Sequence, residues 1–460
     1  MKDTKMKKLD RTKIPFCDGF ADIKFPEVYE NTLANGMNIL VLEDRKIPIV
    51  STMLLFRSGS IHDSLIGENK SGTASLVSEL ITKGTKTRNA EEIAEEIEFL
   101  GADLNSNCNF DSMFVSAKSL TKYFGEVFDI VTDVVQNPLF EQEEMNRLKT
   151  QRLNNLLYYN DHGKYLSSKL FIKQVHKNSP YSNTSMGSFS SIENLTNEDI
   201  LTFYKKFFHS GNLTMAFIGD ISPEVAYNLA AAKFNNWQPE KFTEINVTKD
   251  NLSKNNEIYI VDKKDFVQSD IYIGHLSVPV KNPDYIKMLL LNTIIGGTFT
   301  SRLNKRLREK SGYTYGISSS FNMKKYTGEF LARTSVNTEV TANSIEIIID
   351  ELISIVSTQV LKVELDNAKN YIKGSFPLQM ETSNSIASSL LRLKFYELEK
   401  DFYNTLFSKM EKITVEDIHE TAKKHIHPEN VIISIAGNAE RISKSMEQFG
   451  NVSVLNNINF

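Results

Sequence analysis

The feature that most constrains the fold of this chain is an internal repeat. Residues 195–220, LTNEDILTFYKKFFHSGNLTMAFIGD, match residues 413–438, ITVEDIHETAKKHIHPENVIISIAGN, without a gap. The match aligns Asp199 with Asp417, an offset of 218 residues. A repeat of this length indicates two units of similar structure within one chain.

The same offset holds near the start of each half, where it aligns Asp44 with Asp262. Because one shift holds along both halves, we expect two homologous domains. The N-terminal domain is predicted over residues 17–237 and the C-terminal domain over residues 257–456. The polar stretch 238–256 between them has the composition of a linker.

Each half mixes strand and helix signals. The β-rich runs 38–44 and 48–56 predict early strands, and residues 212–220 predict a late strand ending in a glycine turn. Apolar residues recur at helical spacing over 89–100 and 124–135. The elements do not alternate strictly as strand and helix, so the sequence predicts an α+β fold.

Composition excludes several classes of function. The chain has 460 residues, 41% apolar, and a net charge of −4 with both signs interspersed, which does not favour nucleic-acid binding. No run of ~18 apolar residues predicts a membrane span. Cys17 and Cys108 are too few for a disulfide framework. We expect a cytoplasmic protein by default, since no apolar leader is recognisable, and a periplasmic one if a leader has been removed.

Residues 72–85, GTASLVSELITKGT, carry the most informative motif. They resemble the segment G-x-A-H-x-x-E-H-x-x-x-K-G-T of the pitrilysin/insulinase-type zinc peptidases. The two histidine positions fall on Ser75 and Glu79, and the position of the catalytic glutamate falls on Ser78. A serine hydroxyl is a poor zinc ligand and a poor general base, so the motif has lost its chemistry.

A second part of the family's zinc site is also missing. Residues 143–155, EEMNRLKTQRLNN, resemble the downstream helix E-E-x-x-R-E-x-x-x-x-x-x-E, whose later glutamates supply the third ligand and a supporting carboxylate. Those two positions fall on Leu148 and Asn155. Glu79 alone cannot form a site that needs three protein ligands. We therefore expect no metal and no cofactor in this chain.

Residues 296–321 contain S-R-L-x-x-x-L-R-E-x-x-G-x-x-Y, which resembles the family's C-terminal segment. The resemblance implies that Arg308 and Tyr315 donate hydrogen bonds to the transition state in a zinc site. It also implies that Gly296 and Gly297 belong to a loop that handles substrate. The alternative is that Arg308 is a solvated helix charge and Tyr315 a core aromatic.

The resemblance covers the chain from about Tyr29 to Ala439. It implies half of a clamshell, in which each domain is a mostly antiparallel sheet packed with helices. The chain resembles the zinc-lacking subunits of the family, such as the alpha subunit of mitochondrial processing peptidase. The implied partner is a homologous subunit that carries H-x-x-E-H and zinc, and the implied substrate is an extended peptide. The alternatives are an inert scaffold and a peptide-binding homodimer.

Overall fold

Two six-stranded sheets form the framework, one in each half of the chain. The computed structural model describes residues 26–248 and 250–456, so Cys17 and the first residues of the predicted N-terminal domain lie outside the described residues. The first sheet contains β1 (Tyr29–Thr32), β2 (Asn38–Glu43), β3 (Ile49–Phe56), β4 (Asp103–Cys108), β5 (Met113–Leu120) and β6 (Leu213–Gly219). The second sheet contains β7 (Glu257–Asp262), β8 (Gln268–Ser277), β9 (Ile317–Met323), β10 (Gly328–Asn337), β11 (Ile432–Gly437) and β12 (Asn451–Leu455).

The two sheets follow a related order. The first runs β1-β2-β6-β3-β5-β4 and the second β12-β7-β11-β8-β10-β9. In each, the late strand lies between the first long strand and the next, parallel to one and antiparallel to the other. The sheets are therefore mixed, with antiparallel hairpins at the β4 and β9 edges. This arrangement confirms the predicted α+β class.

Helices cover both sheets. Those of the first half are α1 (Thr73–Leu80), α2 (Ala90–Phe99), α3 (Phe124–Gln136), α4 (Gln142–Tyr159), α5 (Gly163–Val175), α6 (Phe189–Asn194), α7 (Asn197–Phe207) and α8 (Pro223–Phe234). Those of the second half are α9 (Tyr285–Asn292), α10 (Thr341–Ser357), α11 (Lys362–Gln379), α12 (Ser383–Phe395), α13 (Phe402–Glu411), α14 (Val415–His425) and α15 (Ala439–Met446). α2 and α3 lie where the helical spacing predicted them.

The aspartates aligned by the repeat have the same local role. Thr196 and Asp199 form a capping box at the start of α7, and Thr414 and Asp417 form another at the start of α14. In each box the threonine hydroxyl accepts from the aspartate N–H, and the carboxylate accepts from the threonine N–H. These bonds satisfy backbone groups that would otherwise lack partners at the helix start.

Each half contributes a helix to the other half's sheet. α5 packs on β8 and β11 through Leu166, Leu170 and Phe171, and α12 packs on β3 and β6 through Leu390 and Leu391. These contacts lie on the sheet faces opposite the two main cores. The exchange buries apolar surface from both halves together, which couples their stability.

The segment between the sheets is irregular but anchored. Its described residues within 238–256 form no helix or strand. Ile245 is 7% exposed, the ring of Phe242 lies 6.5 Å from that of Phe207, and the Asp250 carboxylate accepts from the Asn178 N–H at 2.8 Å. Near its end, Asn430 donates to the Ser253 carbonyl at 2.8 Å, so the segment is anchored to both halves. Within 26–248 and 250–456, no helix is both long and apolar enough to cross a bilayer.

Candidate functional site

The altered zinc motif lies on α1, whose start is fixed by a buried carboxylate. Gly72 precedes the helix with φ +94°, a conformation that glycine adopts without strain. The Asp63 carboxylate accepts from the N–H groups of Gly72 and Ala74, each at 2.8 Å. Burial raises the pKa of Asp63 to about 8, and these backbone donors oppose the rise. On the helix, the Ser78 hydroxyl lies 2.8 Å from the Ser106 hydroxyl of β4, so it holds two elements together.

A guanidinium lies among the positions where the family's zinc ligands would stand. Arg152 of α4 is 4% exposed and donates to the Ser75 hydroxyl at 3.0 Å and to the Met186 carbonyl at 3.3 Å. Its other terminal nitrogen forms an ion pair with Glu79. The two ligand positions on α1 are thus bridged by a cation that belongs to the chain itself.

Sequence reasoning missed Arg152, because the family pattern leaves its position unspecified. The sequence nevertheless contains a spacing that indicates its position. Arg152 stands four residues after Leu148, and residues at that spacing lie on one face of a helix. Leu148 is 6% exposed and belongs to the hydrophobic core, whereas Asn155 is exposed on α4. Neither of these two side chains provides a metal ligand toward α1.

These residues do not fit a catalytic zinc ion. Zinc in such sites takes three protein ligands at ~2.0–2.2 Å from imidazole or carboxylate groups. Here the ligand positions offer a hydroxyl, a leucine and one carboxylate, Glu79, which already neutralises Arg152. Within the described part of the chain, no group of three or more His, Cys, Asp or Glu side chains is placed to hold a metal. A divalent cation here would also be repelled by the guanidinium.

The second candidate site is a groove of about 650 Å³ beside β9 and β10. Tyr315 lies on its wall, in the loop before β9, with its side chain 99% exposed. Arg308 lies on the π-helical segment Asn304–Lys310, with its guanidinium carbon 3.5 Å from the ring centroid of Phe299. Its Nη1 atom is buried without a hydrogen-bond partner among the described residues. Tyr315 is therefore not a core aromatic, and Arg308 is not an ordinary solvated charge.

Close packing explains the two glycines. Gly296 and Gly297 end the π-helical segment Thr293–Gly297, and short π-helical turns are frequent at functional sites. A Cβ at Gly296 would lie 2.5 Å from the Ser319 hydroxyl and 2.8 Å from its backbone nitrogen. The Asn304 amide donates to the Ile317 carbonyl at 2.7 Å, which ties the neighbouring turn to β9. The glycines thus bring the loop against the strand.

The structure gathers the predicted residues into two separate places. Tyr315 and the two glycines line the groove of the second half, and Arg308 packs on Phe299, another lining residue. Of the altered zinc positions in the first half, Ser75 and Glu79 contact Arg152, whereas Ser78 bonds to Ser106 and Leu148 belongs to the hydrophobic core. No hydrogen bond or ion pair among the described residues joins these two groups.

Comparison with known proteins agrees with this geometry. The family model described as "Insulinase (Peptidase family M16)" matches residues 38–187, and the one described as "Peptidase M16 inactive domain" matches residues 194–372. The chain is 24% identical over 422 residues to a Helicobacter pylori protein named "Non-peptidase homolog YmxG", covering 91% of this chain and 93% of that protein. It is 22% identical over 434 residues to the bovine mitochondrial-processing peptidase subunit beta, covering 91% and 86%.

Solved structures share the fold over most of its length. The crystal structure of a peptidase M16 inactive domain from Pseudomonas fluorescens superposes with a TM-score of 0.83 and 26% identity, covering 89% of this chain and 98% of that one. A Helicobacter pylori protease superposes with a TM-score of 0.80 and 17% identity, covering 89% and 99%. With the emptied zinc motif and the buried Arg152, these matches show that the chain belongs to the peptidase M16 family and is an inactive member of it.

Proposed function

We propose that this chain is the zinc-free subunit of a heteromeric M16 peptidase that degrades or processes peptides. Its partner is a homologous subunit that carries H-x-x-E-H and the metal. This chain contributes half of the chamber and two hydrogen-bond donors, Arg308 and Tyr315. The curated relatives that match along most of the chain include a subunit of a processing peptidase, which supports a multi-subunit assembly.

The exposure of Tyr315 is the observation that carries the proposal. A tyrosine usually buries its ring and leaves only the hydroxyl near solvent. Tyr315 is 99% exposed at the mouth of the groove, so its ring adds little to the stability of this chain. The nearby guanidinium of Arg308 is fixed on Phe299 and has one nitrogen without a partner. The Tyr315 hydroxyl is therefore available to a molecule outside this chain, and the buried Nη1 atom of Arg308 has no hydrogen-bond partner among the described residues.

The sheet edge beside the groove suits an extended substrate. β9 is an edge strand of the second sheet, and its described residues pair only with β10. Such an edge presents backbone donors and acceptors to which a peptide can add as a further strand. A peptide bound along β9 would run into the groove, because Ile317 and Ser318 line it.

The related strand orders of the two sheets also support the proposed origin of the halves from one repeated unit.

The proposal is tested by peptide turnover in the isolated two-chain complex. Arg308→Ala and Tyr315→Phe each remove one donor, and loss of one such donor typically lowers kcat by ~10²–10³. Arg441→Ala is the matched control, since Arg441 is a half-exposed arginine of the same half, paired with Glu339 across the surface. Light scattering reports whether the complex remains assembled.

Two results decide between the candidate roles. A drop in kcat for the first two variants, with intact assembly and an unchanged control, supports the catalytic-partner role. Unchanged kcat in all three variants contradicts it. That second result would favour the inert scaffold, in which the fold persists after the chemistry is lost.

A further inference from the structure

The groove beside β9 is cationic. Its charged lining residues are Lys164, from the first half, and Arg333, from β10. Both side chains are exposed, and no carboxylate among residues 26–248 and 250–456 forms an ion pair with either of them. No aspartate or glutamate lines the groove. Asp270, the acidic residue of β8, accepts a hydrogen bond from Ser335 and lies against Gly163.

The two cations come from different elements of the fold. Arg333 stands opposite Ser318 on β9 and donates from Nε to its hydroxyl at 3.2 Å, which leaves the terminal nitrogens of the guanidinium available. Lys164 lies in the first turn of α5, the helix that packs across the second sheet. The exchange of helices between the halves therefore brings a lysine of the first half to a groove of the second.

The remaining walls suit a peptide segment. Phe299, Tyr315 and Tyr371 are 63%, 99% and 53% exposed, and they offer aromatic surface beside the two cations. In a strand paired with β9, alternate side chains point to the same face, so one residue of a bound peptide can enter the groove. Lysine and arginine are the natural partners of a carboxylate, and arginine binds it through two parallel hydrogen bonds.

We propose that this groove is a carboxylate-recognition subsite for extended peptides, with Lys164 and Arg333 as the binding groups. This inference rests on the proposed function for its placement beside Tyr315, and it names the class of peptide that the chain prefers. The carboxylate is either an acidic side chain or the C-terminus of the peptide. Both sources share one chemistry, and the experiment below separates them.

The test is equilibrium binding of fluorescein-labelled peptides to the full chain, measured by anisotropy without any partner subunit. One set of amidated peptides carries aspartate, asparagine or lysine at one central position. A second set keeps asparagine there and compares a free C-terminal carboxylate with an amide. Two exposed ion pairs should give the carboxylate peptides roughly twofold to thirtyfold higher affinity. The preference should shrink as salt is raised, because exposed charges are screened.

Neutral variants then test the two named residues. The double variant Lys164→Gln with Arg333→Gln should bind all peptides with similar affinity. The matched control is Lys444→Gln, an exposed lysine on α15, which packs near β12 at the opposite edge of the same sheet. It should keep the preference of the unaltered chain.

Each outcome supports or contradicts the subsite. Preference for central aspartate identifies an acidic side chain as the ligand, and preference for the free terminus identifies the C-terminal carboxylate. Equal affinity for all peptides, a preference that survives in the double variant, or no binding at the highest soluble protein concentration overturns the proposal. Because neither Arg308 nor Tyr315 is altered, failure here leaves the turnover test of the proposed function independent.

Discussion

Replacing Arg152 by alanine is the most direct test of how the emptied metal site is stabilised. The buried guanidinium donates to the Ser75 hydroxyl and to the Met186 carbonyl, and hydrogen bonds from charged donors contribute ~1.5–3 kcal/mol each. The ion pair with Glu79 adds less, because that side chain is 44% exposed and its charge is partly screened. After the desolvation of the guanidinium is subtracted, we expect a loss of about 2–4 kcal/mol in the free energy of unfolding.

The assay is urea unfolding followed by the fluorescence of Trp237, the single tryptophan of the chain, which packs near Phe56 and Phe234 in the first half. For a slope of ~2–3 kcal/mol per M urea, a loss of this size lowers the midpoint by about 1 M. Arg152→Lys keeps the charge but not the planar guanidinium group. Its loss in the free energy of unfolding should therefore lie between zero and the loss for Arg152→Ala.

Arg147→Ala provides the matched control on the same helix. Arg147 is 52% exposed and pairs with Glu144 at 2.8 Å, a surface contact whose removal should cost less than ~1 kcal/mol. The reasoning is refuted if Arg152→Ala costs no more than Arg147→Ala. That result would mean that the guanidinium does not stabilise the site it occupies.

Three further predictions concern packing and charge elsewhere in the fold. Gly296→Ala should destabilise the chain by ~1–3 kcal/mol in urea unfolding, because its Cβ would meet the backbone of β9, whereas Gly125→Ala, with open space around it, should not destabilise. Leu391→Ala, fully buried on α12, should cost ~2–5 kcal/mol and lower the midpoint reported by the tryptophan of the other half; an unchanged tryptophan signal would contradict the coupling of the halves. Burial raises the pKa of Glu329, but Lys324 and a buried histidine hold it below its ordinary value. At pH values between the lowered pKa of the folded chain and the ordinary pKa, the unfolded chain binds more protons. Stability therefore rises with pH in this range, and the contribution of Glu329 is lost as the pH falls through the folded pKa. Glu329→Gln should reduce this dependence in unfolding measured from acid to neutral pH, and an unchanged acid slope would contradict the assignment.

Much of the fold could be predicted from local pattern. The spacing of apolar residues placed α2 and α3, and the β-rich runs placed the early and late strands, because these elements bury one face or one run of side chains. The threonine and aspartate pairs that start α7 and α14 act through local capping, which sequence also records. The emptied zinc motif was visible because its chemistry depends on residue types at fixed spacing.

The rest depended on contacts between distant segments. The exchange of α5 and α12 between the sheets is not visible in either helix, since an apolar stripe does not specify which sheet it covers. The spacing of Arg152 from Leu148 could have placed it on the same face of α4, but its contacts with Ser75 and Glu79 depend on how α4 lies against α1. The described residues of 238–256 form no helix or strand, but the polar composition does not reveal the contacts that anchor this segment to both halves. The exposure of Tyr315 likewise follows from the turn before β9 and not from the motif.

The central proposal is that this chain, whose zinc motif is altered, works beside a zinc-bearing homologue. The most direct measurement is the zinc content and peptide turnover of the tagged chain, isolated once alone and once with the chains that accompany it in its native cell. The account predicts no stoichiometric zinc and no turnover for the chain alone. It predicts one zinc ion per pair and measurable turnover for a complex whose second chain carries H-x-x-E-H. Stoichiometric zinc or turnover in the isolated chain, or a native complex without such a partner, would contradict it.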